Sequence, residues 1–477
     1  MSIAKKAIYG AFWMAGISYI GFAINFVIQL VLVRLLVPED FGLFALGLSI
    51  AEILFIFFSF SFSMAVVQIQ EAESLFDTAF YLSLISGFLI LLIGGVISIC
   101  ISPYYPFPSV LAFFILCALQ PLQGCSYIYS ASMEKELQFK KNAFVRGIAT
   151  NFSGFGAIFL AYLGVGVWSL VGREMITALL MLMGMRWFSH HRFHQRFNRE
   201  TAKQLLSFGY KMLVSRGLEI IYNRVPNFFI GTFVGTRALG LFSQTYYLAT
   251  LPNTILSPAH QNVAFATYSK VQDDHEKMSK AFYITNYFFI RLLLPLMLVL
   301  FFYSKEVLGI LYGAKWLEAS PMLCYFAVYA AFLPLFSNLK TFTYSLGRLL
   351  DVSKVYLTEI IFLSIGVFFA LYTGRISLVA LAFSLSLAFG LGTILYFLNR
   401  QGITLCLRKL FLIPIMVSSG IVILWSFFLK SYNILFFVDK ISCIGFLLTF
   451  FVAFTIVILV FEPKRTLENF KYIAKKL

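Results

Sequence analysis

Runs of about twenty apolar residues without a single charge recur along this chain, and they decide its fold class before any other feature. Phe80–Ile101 and Gly445–Phe461 are two of them. In hydrocarbon every backbone N–H and C=O must be satisfied inside its own helix or in a closed barrel. Strict apolar–polar alternation is missing and the runs are too long for barrel strands, so they read as spanning helices. The 477 residues are 60% hydrophobic and 12% charged, whereas soluble domains carry about 25% charged residues. A soluble globular protein is excluded.

Breaking the apolar runs at charged and Pro/Gly punctuation predicts an all-α polytopic membrane protein of about fourteen transmembrane helices. They are expected near 9–36, 41–67, 78–101, 109–132, 143–163, 166–187, 205–234, 238–268, 281–303, 319–346, 354–373, 376–399, 407–429 and 441–461. The opening MSIAKKAIYG is charged like a signal peptide, but the apolar stretch behind it is too long for an h-region. It is therefore assigned to the first span. Six cysteines show no CxxC spacing, so neither a disulfide framework nor a metal site is expected.

The formal charge of +16 has a topological reading. With an even number of spans, only Arg34, Arg237, Lys305, Lys315, Arg375, Lys430 and Lys440 fall in loops opposite the termini. The termini side holds the remaining basic loops, including Lys135, Lys140, Lys141, Arg146 and Arg186. Both termini are thus expected in the cytoplasm and no nucleic-acid partner is expected. The polar stretch 188–204 is too short to bury a core and is read as a basic linker, its His190, His191 and His194 included.

The chain also repeats itself at an offset of about 198 residues. Phe41-Gly42-Leu43-Phe44 returns as Leu239-Gly240-Leu241-Phe242, and Asn25 and Gln29 of the first span align with Asn223 and Asn227 of the seventh. Ala79-Phe80-Tyr81 returns as Ala281-Phe282-Tyr283. Six intervening helices preserve orientation, so the expectation is two parallel six-helix lobes with a substrate site between them. The boundaries are 1–190 for the N-lobe, 191–204 for the linker and 205–400 for the C-lobe. Residues 401–477 then supply two extra spans and a basic tail.

Polar groups inside spans cost about 2.5–3.5 kcal/mol each when charged, so those present are expected to pair or to face a cavity. The seventh span is the richest, with Lys211, Arg216, Glu219, Asn223, Arg224 and Asn227, of which residues 216, 219, 223 and 227 follow helical spacing and share one face. Asn25 and Gln29 share a face of the first span. Arg291 and Lys340 lie in the ninth and tenth, and Glu52 and Glu359 in the second and eleventh. Arg173 and Glu174 are expected near the outer surface as interhelical contacts. The mid-span cations exceed the carboxylates, which suits an anionic diphosphate headgroup, since Arg offers bidentate donors. No nucleophile elbow, phosphate loop or metal-ligand set appears, so no enzyme and no cofactor is expected.

The run Leu32-Val33-Arg34-Leu35-Leu36-Val37-Pro38-Glu39-Asp40-Phe41-Gly42-Leu43-Phe44-Ala45-Leu46 resembles the signature of Wzx-type polysaccharide and O-antigen flippases. These are the polysaccharide transporter branch of the multidrug/oligosaccharidyl-lipid/polysaccharide exporter superfamily. Asn227-Phe228-Phe229-Ile230-Gly231, Leu239-Gly240-Leu241-Phe242-Ser243 and Leu251-Pro252 fit the second-lobe counterpart, and the likeness runs to about Gln401. The resemblance implies two lobes around a central cavity. It further implies translocation of undecaprenyl-diphosphate-linked oligosaccharide across the bacterial inner membrane by alternating access, for export of cell-surface polysaccharide. Membrane lipids, a polysaccharide polymerase and the export machinery are the partners it implies.

On this reading Arg216, Arg291, Asn223, Asn227, Arg224, Lys340, Asn25 and Gln29 meet the substrate. The sequence carries Pro226 where relatives often carry Asp. Glu52, Glu219 or Glu359 would then carry a coupling H+ or Na+. The competing readings are a small-molecule or drug cation antiporter of the same superfamily and a membrane glycosyltransferase, polymerase or ligase. The first would favour carboxylates over cations, and the second usually needs a large outer loop.

Overall fold

The computed structural model describes residues 3–59, 62–69, 74–189, 191, 197–271, 274–403 and parts of 405–420. Every regular element among them is helical. In chain order they are α1 (Ile3–Leu35), α2 (Pro38–Ser59), α3 (Phe62–Gln68), α4 (Leu75–Ile101), α5 (Phe107–Ala118), α6 (Gln120–Lys135), α7 (Phe139–Tyr162) and α8 (Trp168–Phe188). They continue as α9 (Arg199–Phe233), α10 (Thr236–Lys270), α11 (His275–Phe302), α12 (Ser304–Leu311), a 3-10 turn (Ala314–Ala319), α13 (Ser320–Ser345), α14 (Leu349–Thr373) and α15 (Ser377–Asn399).

Each of the first twelve expected spans coincides with a long helix or helix pair. The expected thirteenth falls largely, and the fourteenth wholly, outside the described residues. Nine segments among those described are long and apolar enough to cross a membrane. Neither α9 nor α10 is one of the nine. Lys211, Arg216, Glu219, Arg224, Arg237 and Lys270 along them lower the mean hydropathy of helices that are, at 35 residues each, more than long enough. The fourth span, expected as one helix, breaks at Leu119. Pro121 sits in the first turn of α6, where its missing N–H leaves no helical bond unmade.

The helices form two compact units, the first ending at Gln244 and the second beginning at Thr245. In the first, α7 packs against α1 and α8, α4 against α6, and α2 against α5 and α9. Its apolar interior gathers Phe62, Ala79, Tyr129, Met133, Met185 and Leu205, with a second cluster around Ile90, Phe113 and Leu116. Outward faces remain apolar as well: Phe152, Phe155 and Phe159 of α7 are exposed, as are Leu92, Val96 and Ile99 of α4. A helix apolar on every face is at rest only in hydrocarbon.

The second unit packs α14 on α15, α13 on α15 and α11 on α13. Trp316, Tyr268, Phe326, Phe336 and Phe342 are fully buried there. Helix α11 opens at Asp274, whose side chain accepts from the Lys277 backbone N–H and pairs with its ammonium at 2.8 Å. Hydrogen bonding to Lys277 holds this carboxyl below its usual range. The cap therefore persists at neutral pH and weakens as the pH falls through the depressed value.

Candidate functional site

Asn25, Gln29 and Asn227, with residues the sequence did not single out, take part in three arrangements within the first unit. The first lies where α2 and α10 begin. Gly42 and Gly240 pack backbone to backbone: a Cβ on Gly42 would sit 3.0 Å from Gly240 N and inside the van der Waals shell of the Thr236 carbonyl. A Cβ on Gly240 would sit 3.1 Å from Gly42 N and equally inside that of Pro38. Only glycine permits so close a crossing. Beside it the Glu39 carboxylate accepts from the Arg237 guanidinium at 2.9 Å.

Both pairs are 198 residues apart, the offset of the sequence repeat. Helices α1 and α9 end, and α2 and α10 begin, with that same spacing. The helix pair α1–α2 and the helix pair α9–α10 thus meet as copies of one another.

The second arrangement is a chain of amides and guanidinium deeper along the same helices. Gln29 of α1 donates to Gln244 of α10 at 2.8 Å. In reciprocal fashion Asn227 of α9 donates to Ser49 of α2 at 2.9 Å, and both are buried. Asn25 donates to Asn151 of α7 at 3.1 Å and accepts from Arg173 of α8 at 2.7 Å. Arg173 also reaches Gln29, at 3.5 Å. Arg173 thus makes the interhelical contacts expected of it. Asn25 lies about ten residues, or about 15 Å, from the end of α1.

The third arrangement is a cavity of about 470 Å³ lined by α1, α6 and α7. Phe22 and Asn25 face it from α1, Glu134 from α6, and Phe139, Asn142 and Arg146 from α7. Arg146 donates to Asn142 Oδ1 at 2.8 Å and to Ser130 Oγ at 2.7 Å, and lies 3.7 Å from Glu134. Asn142 in turn donates to Ser130 and Glu134. Sequence reasoning counted Arg146 as a loop charge, since it follows Lys140 and Lys141. Helix α7 already begins at Phe139, so Arg146 stands two turns inside it.

The remaining expected site residues fall in separate places. Arg224 of α9 forms an ion pair with Glu52 of α2, joining an expected substrate contact to an expected ion carrier. Asn223 donates to the Glu219 carbonyl one turn back. The side chain of Arg216 lies outside the described residues, although its backbone belongs to α9. In the second unit Arg291 is buried, 6% exposed, with its guanidinium 3.5 Å from the Tyr287 ring centre and donating to the Tyr287 carbonyl. Lys340 sits 4.3 Å from the ring centres of both Phe336 and Tyr356 and donates to the Tyr356 hydroxyl at 3.2 Å. Glu359 is buried against Gly390 and close to Phe336. Among the described residues no group of His, Cys, Asp and Glu could hold a metal ion.

Comparison with known proteins covers these same helices. A family model described as polysaccharide biosynthesis protein matches residues 31–321. The chain is 25% identical over 304 residues to the succinoglycan biosynthesis transport protein ExoT of Rhizobium meliloti, covering 63% of this chain and 62% of that one. It is 23% identical over 342 residues to the lipopolysaccharide biosynthesis protein WzxC of Escherichia coli, covering 68% and 66%. Its fold is similar to that of the lipid II flippase MurJ in an inward closed conformation, with a TM-score of 0.69, 15% identity and coverage of 95% and 99%. Helices, repeat and matched residues agree, and the chain belongs to the polysaccharide biosynthesis protein family of multi-pass membrane proteins.

Proposed function

We propose that the chain is a flippase that carries an undecaprenyl-diphosphate-linked oligosaccharide across the inner membrane by alternating access. The observation that carries this reading is the match to the polysaccharide biosynthesis family over residues 31–321, which include Arg146, Arg173 and Arg224 of the first unit. The unassisted passage of a charged, hydrated headgroup through hydrocarbon costs tens of kcal/mol (on the order of the Born penalty for an ion). Polar side chains open alternately to each side avoid most of that cost, while the lipid tail stays in the bilayer.

In this account both termini are cytoplasmic and the Gly42–Gly240 crossing closes the outer side. Arg216 and Arg224 of α9 supply the diphosphate with charge-assisted donors, and Asn25, Gln29, Asn223 and Asn227 supply neutral ones. Arg291 and Lys340 join them only when their aromatic contacts open. Glu52, Glu219 and Glu359 are the candidate carriers of a coupling H+ or Na+, each charge moved gaining about 2.3 kcal/mol per 100 mV. A polymerase and the export machinery would take the delivered product.

The test is Arg216→Ala in cells that depend on this chain for their surface polysaccharide. Membrane insertion stays normal, while polymer export falls by an order of magnitude or more (about 10-fold for each 1.4 kcal/mol lost). Export at the wild-type rate would remove Arg216 from the headgroup path.

A further inference from the structure

We infer that the cavity between α1, α6 and α7 is a sugar-reading subsite, one that recognises hydroxyl groups of a carbohydrate and not the diphosphate. The inference rests on the flippase reading above and assigns the cavity a task within it.

Its walls decide the chemistry. At about 470 Å³ the cavity falls within the range of about 300–1,000 Å³ typical of small-molecule sites. Glu134 and Arg146 meet across it at 3.7 Å, and both remain partly accessible, with side-chain exposures of 40% and 45%. The inward-facing bonds of this pair are taken. Glu134 Oε1 accepts from Ser130 and Asn142, while Arg146 uses Nε and Nη2 on Asn142 and Ser130. Arg146 Nη1 and Glu134 Oε2 have no partner among the described residues. A fixed donor and a fixed acceptor therefore stand side by side at the cavity.

A hydroxyl donates and accepts at once, so two neighbouring hydroxyls can satisfy the guanidinium and the carboxylate together. A diphosphate can use only the donor, and the adjacent carboxylate repels it (about 1 kcal/mol at 4 Å in water, more where water is excluded). Phe22 and Phe139 add aromatic carbon to the same walls, which suits the apolar C–H face of a sugar ring. Asn142, buried and bonded on both amide atoms, fixes the orientation of Arg146 without itself offering a contact. The same carboxylate that weakens the cavity as a phosphate site makes it selective for neutral saccharide.

The experiment uses the full chain in lipid nanodiscs and saturation-transfer NMR with a panel of free hexoses, 6-deoxyhexoses and N-acetylhexosamines. At least one neutral sugar should receive saturation from the protein, and inorganic pyrophosphate should not displace it. Gly21→Leu should lower that signal about five-fold or more, the worth of about one lost hydrogen bond or its equivalent. Gly21 lines the cavity and a Cβ there meets only Asn151 Nδ2, at 3.8 Å, so the substitution adds bulk to the wall without removing a polar group. Glu134→Gln, which keeps size but loses the charge, should weaken sugar binding and admit pyrophosphate.

The inference is overturned if no sugar on the panel is saturated, if pyrophosphate competes in the wild type, or if Gly21→Leu leaves the signal intact. Translocation is measured separately on the same protein. Sugar binding without translocation would refute the flippase reading alone, and translocation without sugar binding would refute the subsite alone.

Discussion

Gly42 and Gly240 stand 198 residues apart in sequence and back to back in space, each occupying room that the other's missing side chain leaves. Glu39 and Arg237, three residues ahead of each, are paired at 2.9 Å. A duplicated motif has thus become a self-complementary contact, in which the two copies cross at their only residues lacking a Cβ. That economy also makes the crossing fragile, because no side-chain movement can relieve a clash with backbone.

Gly42→Ala and Gly240→Ala should each force α2 and α10 apart where they begin, at about 1–3 kcal/mol or more, since the obstructing atoms are main-chain carbonyls. With the native cysteines replaced, a reporter Leu46→Cys, one turn along α2 from the crossing and buried, should react several-fold faster with an impermeant thiol reagent in either variant. An unchanged labelling rate would show that the crossing is not a closure.

The Glu39–Arg237 pair is half exposed, with side-chain exposures of 40% and 51%, so it is worth about 1 kcal/mol or less. Arg237→Glu should speed the same labelling modestly by placing two carboxylates together. The double exchange Glu39→Arg with Arg237→Glu should restore it. High salt should reduce the difference between wild type and variant.

Ser49→Ala should cost more stability than its size suggests. Ser49 accepts from the buried Asn227 amide and donates to the Ala45 carbonyl, so its loss strands the Asn227 donor at about 1–3 kcal/mol. Adding Asn227→Leu removes the stranded group and should recover much of that loss. Thermal unfolding of the three proteins in detergent reads the order directly, and additive losses would contradict it.

Arg173 holds Asn25 and Gln29 with separate nitrogens, and a lysine has one. Arg173→Leu should therefore destabilise the first unit by about 1–3 kcal/mol, with Arg173→Lys recovering only part of it. The readout is again thermal unfolding. Equal stability of the lysine variant and the wild type would mean that a single contact matters.

Much of this was legible from residues alone. Uncharged apolar runs such as Phe80–Ile101 demand helices in lipid, and the structure supplies α4 over that stretch. The repeat was visible because the short motif around Gly42 returns almost residue for residue around Gly240, where the two copies meet backbone to backbone. Partnerships were less accessible. Asn227 with Ser49, Gln29 with Gln244 and Arg224 with Glu52 each join residues from different helices, and one sequence carries no record of which helix faces which. Arg146 was hidden for a different reason: a basic cluster beside a span reads as a topological signal, whereas its depth depends on where α7 starts. For Arg291 the mid-span charge pointed to a cavity, and the contacts it makes with the Tyr287 ring and carbonyl were not visible in the sequence.

The most direct test is reconstitution of the purified chain in liposomes carrying undecaprenyl-diphosphate oligosaccharide, with an impermeant glycosidase outside. If the chain is a flippase, nearly all of the lipid-linked sugar becomes cleavable, whereas in protein-free liposomes only the outer half is. Arg216→Ala protein should return the cleavable fraction toward that half. If wild-type protein leaves the inner-leaflet pool protected under an imposed proton or sodium gradient, the account is wrong.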